Sequence, residues 1–375
     1  MPLDEALGIA PHQGSSEELM RLGCLLSVMM PYEQASWLLK QWGGLSVSAS
    51  TLWNWVQAKG KRAMEEIQEQ LEMQAKGEAT LPESLSELLS SLPLIIGADG
   101  VMVPFRPVAK TPKGKTQWRE IKVAILARLG VHHNQRGEAV SKLLHRRLVA
   151  VLGTIDDFIP ILELEAQRQS VKTASKVVWL SDGGRGFWRV YRTCFSAVAI
   201  PILDFFDAAG HLWRATNVLF EDTSSSQALA WFSRWRHQLR HGQHYRVLSD
   251  LIFLSNTGLF SGQSLKTLLQ VQAYFQRHHR HIHYQRFHQQ QLPLGSGMVE
   301  SSCKWLIQQR FKGVGMRWSE SGFNHLLLLR LAWTNQRFDS LFSLSSVAQD
   351  LSGGHKCVKG RHSRGCKKKI DRERV

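Results

Sequence analysis

Three acids stand in surroundings suited to holding a divalent ion. Glu300 opens an otherwise basic helical stretch within LPLGSGMVESSCKWLIQQRFKGVGMRWSESG, residues 292–322. Asp99 in LPLIIGADGVMVPF and Asp182 in KVVWLSDGGRGFW each close an apolar, strand-like run and precede glycine. Cleaving a phosphodiester requires an activated water or 3′-hydroxyl and stabilisation of charge on the leaving oxygen, which two divalent ions roughly 3.5–4 Å apart supply. Carboxylate oxygens suit Mg²⁺, which keeps several waters and uses substrate phosphate as a further ligand. In this order the three acids suggest metal-dependent phosphoryl transfer, with Mg²⁺ as cofactor and Mn²⁺ as a possible substitute. Taken singly, an acid beside glycine often marks only a turn.

The surroundings of the acids are basic and glycine-rich. Gly183, Gly184, Gly186, Gly295 and Gly297 would let backbone pass close to a phosphate, although their spacing matches neither GxGxxG nor a P-loop. Lys304 lies four residues from Glu300, on the same helical face, and Arg310, Lys312 and Arg317 extend the positive surface. Across the chain 47 Lys and Arg face 31 Asp and Glu, a net charge of +16, the footprint of a polyanion binder such as a nucleic-acid protein. No apolar run is long enough for a membrane span and MPLDEALG lacks a signal-peptide pattern, so the expectation is a soluble intracellular protein. Five irregularly spaced cysteines in 375 residues do not make a disulfide framework.

These groups need elements to position them. Residues 1–80 read as helical: Ser15 or Ser16 caps a first helix, Pro31 starts a second, and Gly43–Gly44 turns the chain. VSASTLWNWVQAKGKRAM then gives a serine-capped helix with Trp53, Lys59, Lys61 and Arg62, the layout of a DNA-reading helix-turn-helix. Residues 65–76 continue as a polar helix, a connector or dimer contact. From residue 90 the period changes: 94–98, 101–105 and 121–129 read as antiparallel strands, 141–152 and 156–169 as helices, 177–180 as a buried strand, and 197–203 as another strand. This predicts an α/β fold with a mixed sheet over 90–211, a helical insertion at 212–291 rich in aromatics, Arg and His, a final helical part at 292–342, and a basic, disordered tail at 343–375.

The blocks GADG, LSDGGRGFW and LPLGSGMVESSCKWLIQQRFKGVGMRWSE together resemble bacterial insertion-sequence DDE transposases, in the Kra-type group related to the Mutator-like superfamily. The resemblance runs from about residue 16 to 342. It implies a retroviral-integrase-like, or RNase H-like, mixed five-stranded sheet with helices on both faces, interrupted by a helical insertion and preceded by an all-α helix-turn-helix domain. Asp99, Asp182 and Glu300 would be the catalytic and metal-binding triad: Asp99 bridging both ions, Asp182 and Glu300 each binding one. Asp207 and His211 in LDFFDAAGHLW occupy the place of the acid-and-histidine motif of Mutator-like enzymes, at a wider spacing, as possible accessory residues. The implied partners are DNA, as terminal inverted repeats and target, and a second copy in a homodimer or larger synaptic assembly. Members of this group usually carry a cysteine-rich segment ahead of the helix-turn-helix, and MPLDEALGIAPHQ begins where it would end, suggesting a truncated chain.

Remaining features are weighed against simpler accounts. HHRHIHY, residues 278–284, is too crowded for a tetrahedral metal site and reads as a partly protonated surface beside DNA. His355, Cys357, His362 and Cys366 have zinc-ligand chemistry within a tail that reads more simply as a basic arm. Most of the 13 tryptophans belong in the core, while Trp231, Trp235 and Trp318 could stack on unpaired bases. The function these readings favour is DNA transposition. Its rivals are a non-catalytic DNA-binding remnant and an RNase H-like nuclease that cuts without joining.

Overall fold

The computed structural model describes residues 14–78, 80–107 and 115–342. The basic tail, with its four candidate zinc ligands, lies outside the described residues.

Three helices come first. Ser16 accepts the amide of Leu19 to cap α1 (Glu17–Met29), α2 (Tyr32–Gly43) follows Pro31 and ends at Gly44 with φ +64°, and the Ser48 hydroxyl caps α3 (Ala49–Ala75). The polar stretch 65–76, read as a continuing helix, is the last part of α3. No break interrupts it because residues 61–75 contain neither glycine nor proline. After a short α4 (Glu87–Ser91) come five strands: β1 (Leu94–Phe105), β2 (Gln117–His133), β3 (Ala139–Leu152), β4 (Val177–Ser181) and β5 (Ala199–Leu203). They form one mixed sheet in the order β3-β2-β1-β4-β5, with β1, β2 and β3 antiparallel and β1, β4 and β5 parallel.

Two expectations change here. Residues 141–152, read as a helix, are strand β3. The turn at 134–137, where Gly137 has φ +76° and Glu138 O accepts the Asn134 amide, folds β3 back onto β2. A register shift between Leu126 and Arg128, with His145 at φ +44°, breaks the period-2 signal that would have identified the strand. Asp99 is also not at a strand end. β1 runs through it, with Asp99 opposite Val123.

Helices cover the sheet. α5 (Ile155–Arg168) and α6 (Arg185–Val190) bury Phe158, Leu162, Phe187 and Trp188 in one apolar cluster. The helices α7 (Phe205–Leu219), α8 (Ser226–Arg240), α9 (His244–Asn256), α10 (Gly262–Arg277) and α11 (Tyr284–Gln289) join the same cluster through Leu212, Trp235, Leu251, Phe275 and Phe287. A second cluster joins Val101, Val103, Ile121 and Val123 of the sheet to α1, α3 and the last helices: α12 (Gly297–Ser302), a wider π turn (Cys303–Gln308), α13 (Gln309–Phe311) and α14 (Glu320–Thr334). The side of α3 opposite the solvent lies along α14 so closely that a Cβ on Gly60 would overlap the backbone of His325. Among the described residues no helix is long and apolar enough to cross a membrane.

An ionic knot closes the far end of the sheet. Glu83 accepts from Arg147 at 2.9 Å, from His145 at 2.9 Å and from Arg337, which also binds the buried Glu165 at 2.7 Å. Burial alone would raise the Glu83 carboxyl, but the hydrogen bonds and charge of Arg147 and Arg337 outweigh it and hold it at about 2, against 4.5 ordinarily. A depressed folded-state pKa gives stability that is complete above pH 4.5 and lost as pH falls towards 2. Urea unfolding at pH 7 and pH 3 should therefore differ, and Glu83→Gln should remove about 1–2 kcal/mol of that difference once solvent screening is allowed for. An unchanged pH dependence in the variant would mean that the knot does not act this way.

Candidate active site

The parallel pairing of β1 with β4 brings two acids together. Leu94 to Ala98 pair in step with Val177 to Ser181, and the next residue on each strand is Asp99 and Asp182. β4 stops there because the Asp182 carboxylate accepts the Gly184 amide at 2.9 Å while the Trp188 indole donates to the Asp182 carbonyl at 2.6 Å, turning the chain into α6. The glycines of this turn serve packing. The Tyr274 ring fills the space a Cβ on Gly183 would need, and a Cβ on Gly184 would lie 2.8 Å from the Asp182 carboxylate. Both acids line a cavity of about 340 Å³ whose other polar walls are Glu120 and Lys122 on β2. A slightly larger groove lined by Ile67, Leu71, Ile161 and Leu328 shares no residue with it and offers mostly apolar surface.

Glu120 and Lys122 were missed in the sequence. They pair with each other at 2.9 Å, and the Glu120 carboxylate occupies the space a side chain at position 100 would need. The signal was present: two polar residues at i and i+2 share a face of an otherwise apolar strand.

Glu300 lies in the first turn of α12, exposed. This helix rests directly on β1, where the absent side chain of Gly97 makes room for Met298 and Val299 two residues before Asp99. Burial raises the Asp99 carboxyl above its ordinary value; the Gly100 amide partly offsets this, and among neighbouring charges Glu300 acts most strongly, ahead of Glu120 and Asp204. Burial likewise pushes Asp182 up to about 6 against the Gly184 amide, with Asp99, Asp207 and Asp204 adding to the rise. Among the described residues no three Asp, Glu, His or Cys side chains are gathered into a ready metal cage. The donor chemistry nevertheless fits Mg²⁺. This ion takes one or two protein carboxylates and completes its shell with water and phosphate, and two half-buried acids with further carboxylates acting on both form a pocket whose charge favours a cation.

Asp207 sits behind Asp182, accepting the Gly183 amide at 3.0 Å and the Tyr274 hydroxyl at 2.7 Å. One turn on, His211 stacks on Tyr274 with ring centroids 3.7 Å apart. Within the histidine run, expected to be a partly protonated surface, His279 is exposed but His278 and His281 pack against Trp188. His278 is 2% exposed and held at about 4, by burial first and the Arg277 charge second. His281, also lowered to about 4 by burial and then by His278, stacks on Trp188 at 4.1 Å. Both are neutral packing groups supporting the indole that holds the Asp182 carbonyl.

The candidate DNA contacts divide. Trp53, Lys61, Arg62, Lys304, Lys312 and Arg317 are exposed, Lys61 and Arg62 being paired with Glu65 and Glu66 one turn away. Lys59 and Arg310 are not surface groups. Lys59 pairs with Glu17 and donates to Leu341 O, while Arg310, 2% exposed, donates to Ser27 O at 2.9 Å and packs beside Tyr32 and Trp318. The stacking candidates are also structural: the buried Trp235 donates to Asp250 and the part-buried Trp318 to Phe311 O, while Trp231 packs edge-on against Trp235. Trp37, Trp42 and Trp118 are the more exposed indoles.

The chain matches no protein-family model and no curated protein. Among solved structures it is similar to a chain of the Drosophila P element transposase strand transfer complex, with 10% sequence identity, 91% of this chain and 96% of that chain covered, and a TM-score of 0.38.

Proposed function

We propose that the protein is a DNA transposase of the DDE type, with an RNase H-like catalytic unit formed by residues 90–211 and 292–342, the helices of 212–291 as an insertion, and α2–α3 as its DNA-reading part. The observation that carries this reading is the placement of Asp99 and Asp182 side by side at neighbouring parallel strands, lining one cavity, with Glu300 on the helix that rests on β1. Asp99 and Asp182, with Glu300 as third ligand, would hold Mg²⁺, or Mn²⁺ in its place. When bound, such ions lower the pKa of a nucleophilic oxygen and stabilise charge on the leaving oxygen.

The chain's own residues supply the rest. Among the described residues Asp99 and Asp182 accept no cationic side chain, which leaves their charge to be met by a ligand. In the first step a water oxygen bonds to phosphorus and the bond from phosphorus to the 3′-oxygen breaks, leaving a 3′-hydroxyl on the element. In the second step that hydroxyl oxygen bonds to a target phosphorus, one target 3′-oxygen leaves with a proton, and no net phosphodiester is lost. Lys61, Arg62, Lys304, Lys312 and Arg317 would meet DNA phosphates, and terminal inverted repeats and target DNA are the partners, engaged by a homodimer or larger synaptic assembly.

The test is cleavage and joining of labelled DNA carrying the flanking inverted repeats, with and without Mg²⁺, for the natural chain and Glu300→Gln. Metal-dependent joining that Glu300→Gln lowers by about a hundredfold or more is the expected result. Cleavage without joining would replace this reading with a nuclease, and binding without cleavage with a DNA-binding remnant.

A further inference from the structure

The start of α7 carries two acids, Asp204 at its cap and Asp207 in its first turn, and each bonds to a segment bearing one of the proposed metal ligands. Asp204, 3% exposed, uses Oδ1 to cap its own helix, accepting the amides of Phe206 and Asp207. Its Oδ2 accepts the Ser296 amide at 2.6 Å and the Ser296 hydroxyl, 92 residues away in sequence. Capping α7 requires neither bond. Ser296 immediately precedes α12, whose first turn bears Glu300. The same junction is held by the Phe205 amide donating to Leu294 O at 2.9 Å and the Tyr284 hydroxyl donating to Asp204 O at 3.5 Å. Asp207, three residues on, holds Gly183 beside Asp182 and takes the Tyr274 hydroxyl of α10.

We propose that Asp204 and Asp207 are positioning residues that together set where the helix of Glu300 stands relative to the loop of Asp182, with Tyr274 tying that setting to the docking of α10. The functional half of this inference rests on the transposase reading above. The mechanical half does not. A buried carboxylate offers about four lone-pair sites, and Asp204 fills them with four N–H and O–H donors and no cation. Such charge-assisted bonds are roughly twice as strong as neutral ones, and leaving any one unmade in the interior is costly. The carboxylate therefore enforces the cap and the strap together. α12 is only six residues long before the π turn, so its start needs a fixed point of this kind for Glu300 to be held within the roughly 0.5 Å that a catalytic arrangement tolerates.

The test combines hydrogen–deuterium exchange with kinetics on the full chain, using Asp204→Asn, Ser296→Ala, Ser296→Thr and Tyr274→Phe. Ser296→Ala removes one donor and leaves the cap intact, so it decides the matter even where Asp204→Asn unfolds. Exchange over residues 292–302 should quicken about tenfold in Ser296→Ala while β1 and β4 stay protected. Tyr274→Phe should do the same over residues 183–188. In DNA joining, kcat should fall about tenfold in Ser296→Ala with KM unchanged, and Ser296→Thr should restore it. Unchanged local exchange in Ser296→Ala, acceleration spread through the whole chain, or local loosening with unchanged kcat would each overturn the proposal. Should the natural chain itself join no DNA, the transposase reading fails and the exchange data alone decide the brace.

Discussion

Asp182→Asn is expected to lower strand cleavage by about a thousandfold or more while leaving the protein folded and slightly more stable. Asparagine keeps an oxygen for the Gly184 amide and leaves the carbonyl bond to Trp188 untouched, so the turn survives. What disappears is a negative charge that the fold supports at a cost. The folded-state pKa of about 6 lies above the ordinary 3.8, so ionisation penalises the folded state. That penalty is absent below about pH 4, grows as pH rises through 6 and is complete above it. Removing it should stabilise the metal-free protein at pH 7.5 by about 1 kcal/mol after discounting for solvent, and the gain should vanish at pH 4. Asp99→Asn should act similarly on cleavage, and the double variant should be little worse than either single one, because the two acids serve one step. DNA affinity measured by fluorescence anisotropy should stay within about twofold, since neither acid is expected to carry binding energy for phosphate. Full activity in Asp182→Asn would remove it from the site.

The largest effect on stability should come from Arg330→Ala, a loss of about 3 kcal/mol in urea unfolding. Arg330 on α14 is buried with no carboxylate beside it, and its guanidinium donates to Val28 O, Trp305 O at 2.7 Å and Leu306 O at 2.8 Å. Val28 belongs to the last turn of α1, where helix carbonyls lack partners. Trp305 and Leu306 belong to the π turn, where the regular ladder is broken. One planar group thus satisfies three carbonyls from two elements. Burial, then the nearby Arg310, lowers its pKa to about 10, so it remains charged at neutral pH. Arg330→Lys should recover only part of the loss, because a single ammonium cannot match the fork. A loss below about 1 kcal/mol for Arg330→Ala would show that water replaces the guanidinium well.

What could be read from the sequence was what repeats or clusters locally. The apolar runs of β4 and β5, the two runs on either side of Asp99 that make β1, the alternation in β2 and the serine caps of α1 and α3 all declare themselves within a few residues. The runs ending at Asp99 and Asp182 also drew attention to two residues that the structure brings to one cavity. β3 was misread because a register shift corrupts its period. Arg310 was assigned to DNA because charge is visible in sequence and burial is not; Arg330 was overlooked for the same reason. Glu120 and Lys122 reach the cavity through the antiparallel register of β2, and Asp204 reaches Ser296 across 92 residues. Side-chain bonds to distant backbone leave no periodic trace.

The shared cluster of α1 and α3 with α14 has a consequence for how the chain is made. Val28 and Val56 are synthesised long before Leu326, Leu329 and Phe342, which join them in one cluster. Lys59 reaches Leu341 O, and Arg21 binds Asp339 at 3.0 Å. On the ribosome α1 and α3 must therefore wait, with apolar faces uncovered, until α14 has emerged. Contacts of such long sequence separation slow folding and lengthen the period of exposure to aggregation. The nascent protein should depend on chaperones more than its size alone would suggest, and chains released before α14 should be cleared by proteolysis rather than persist as partial binders.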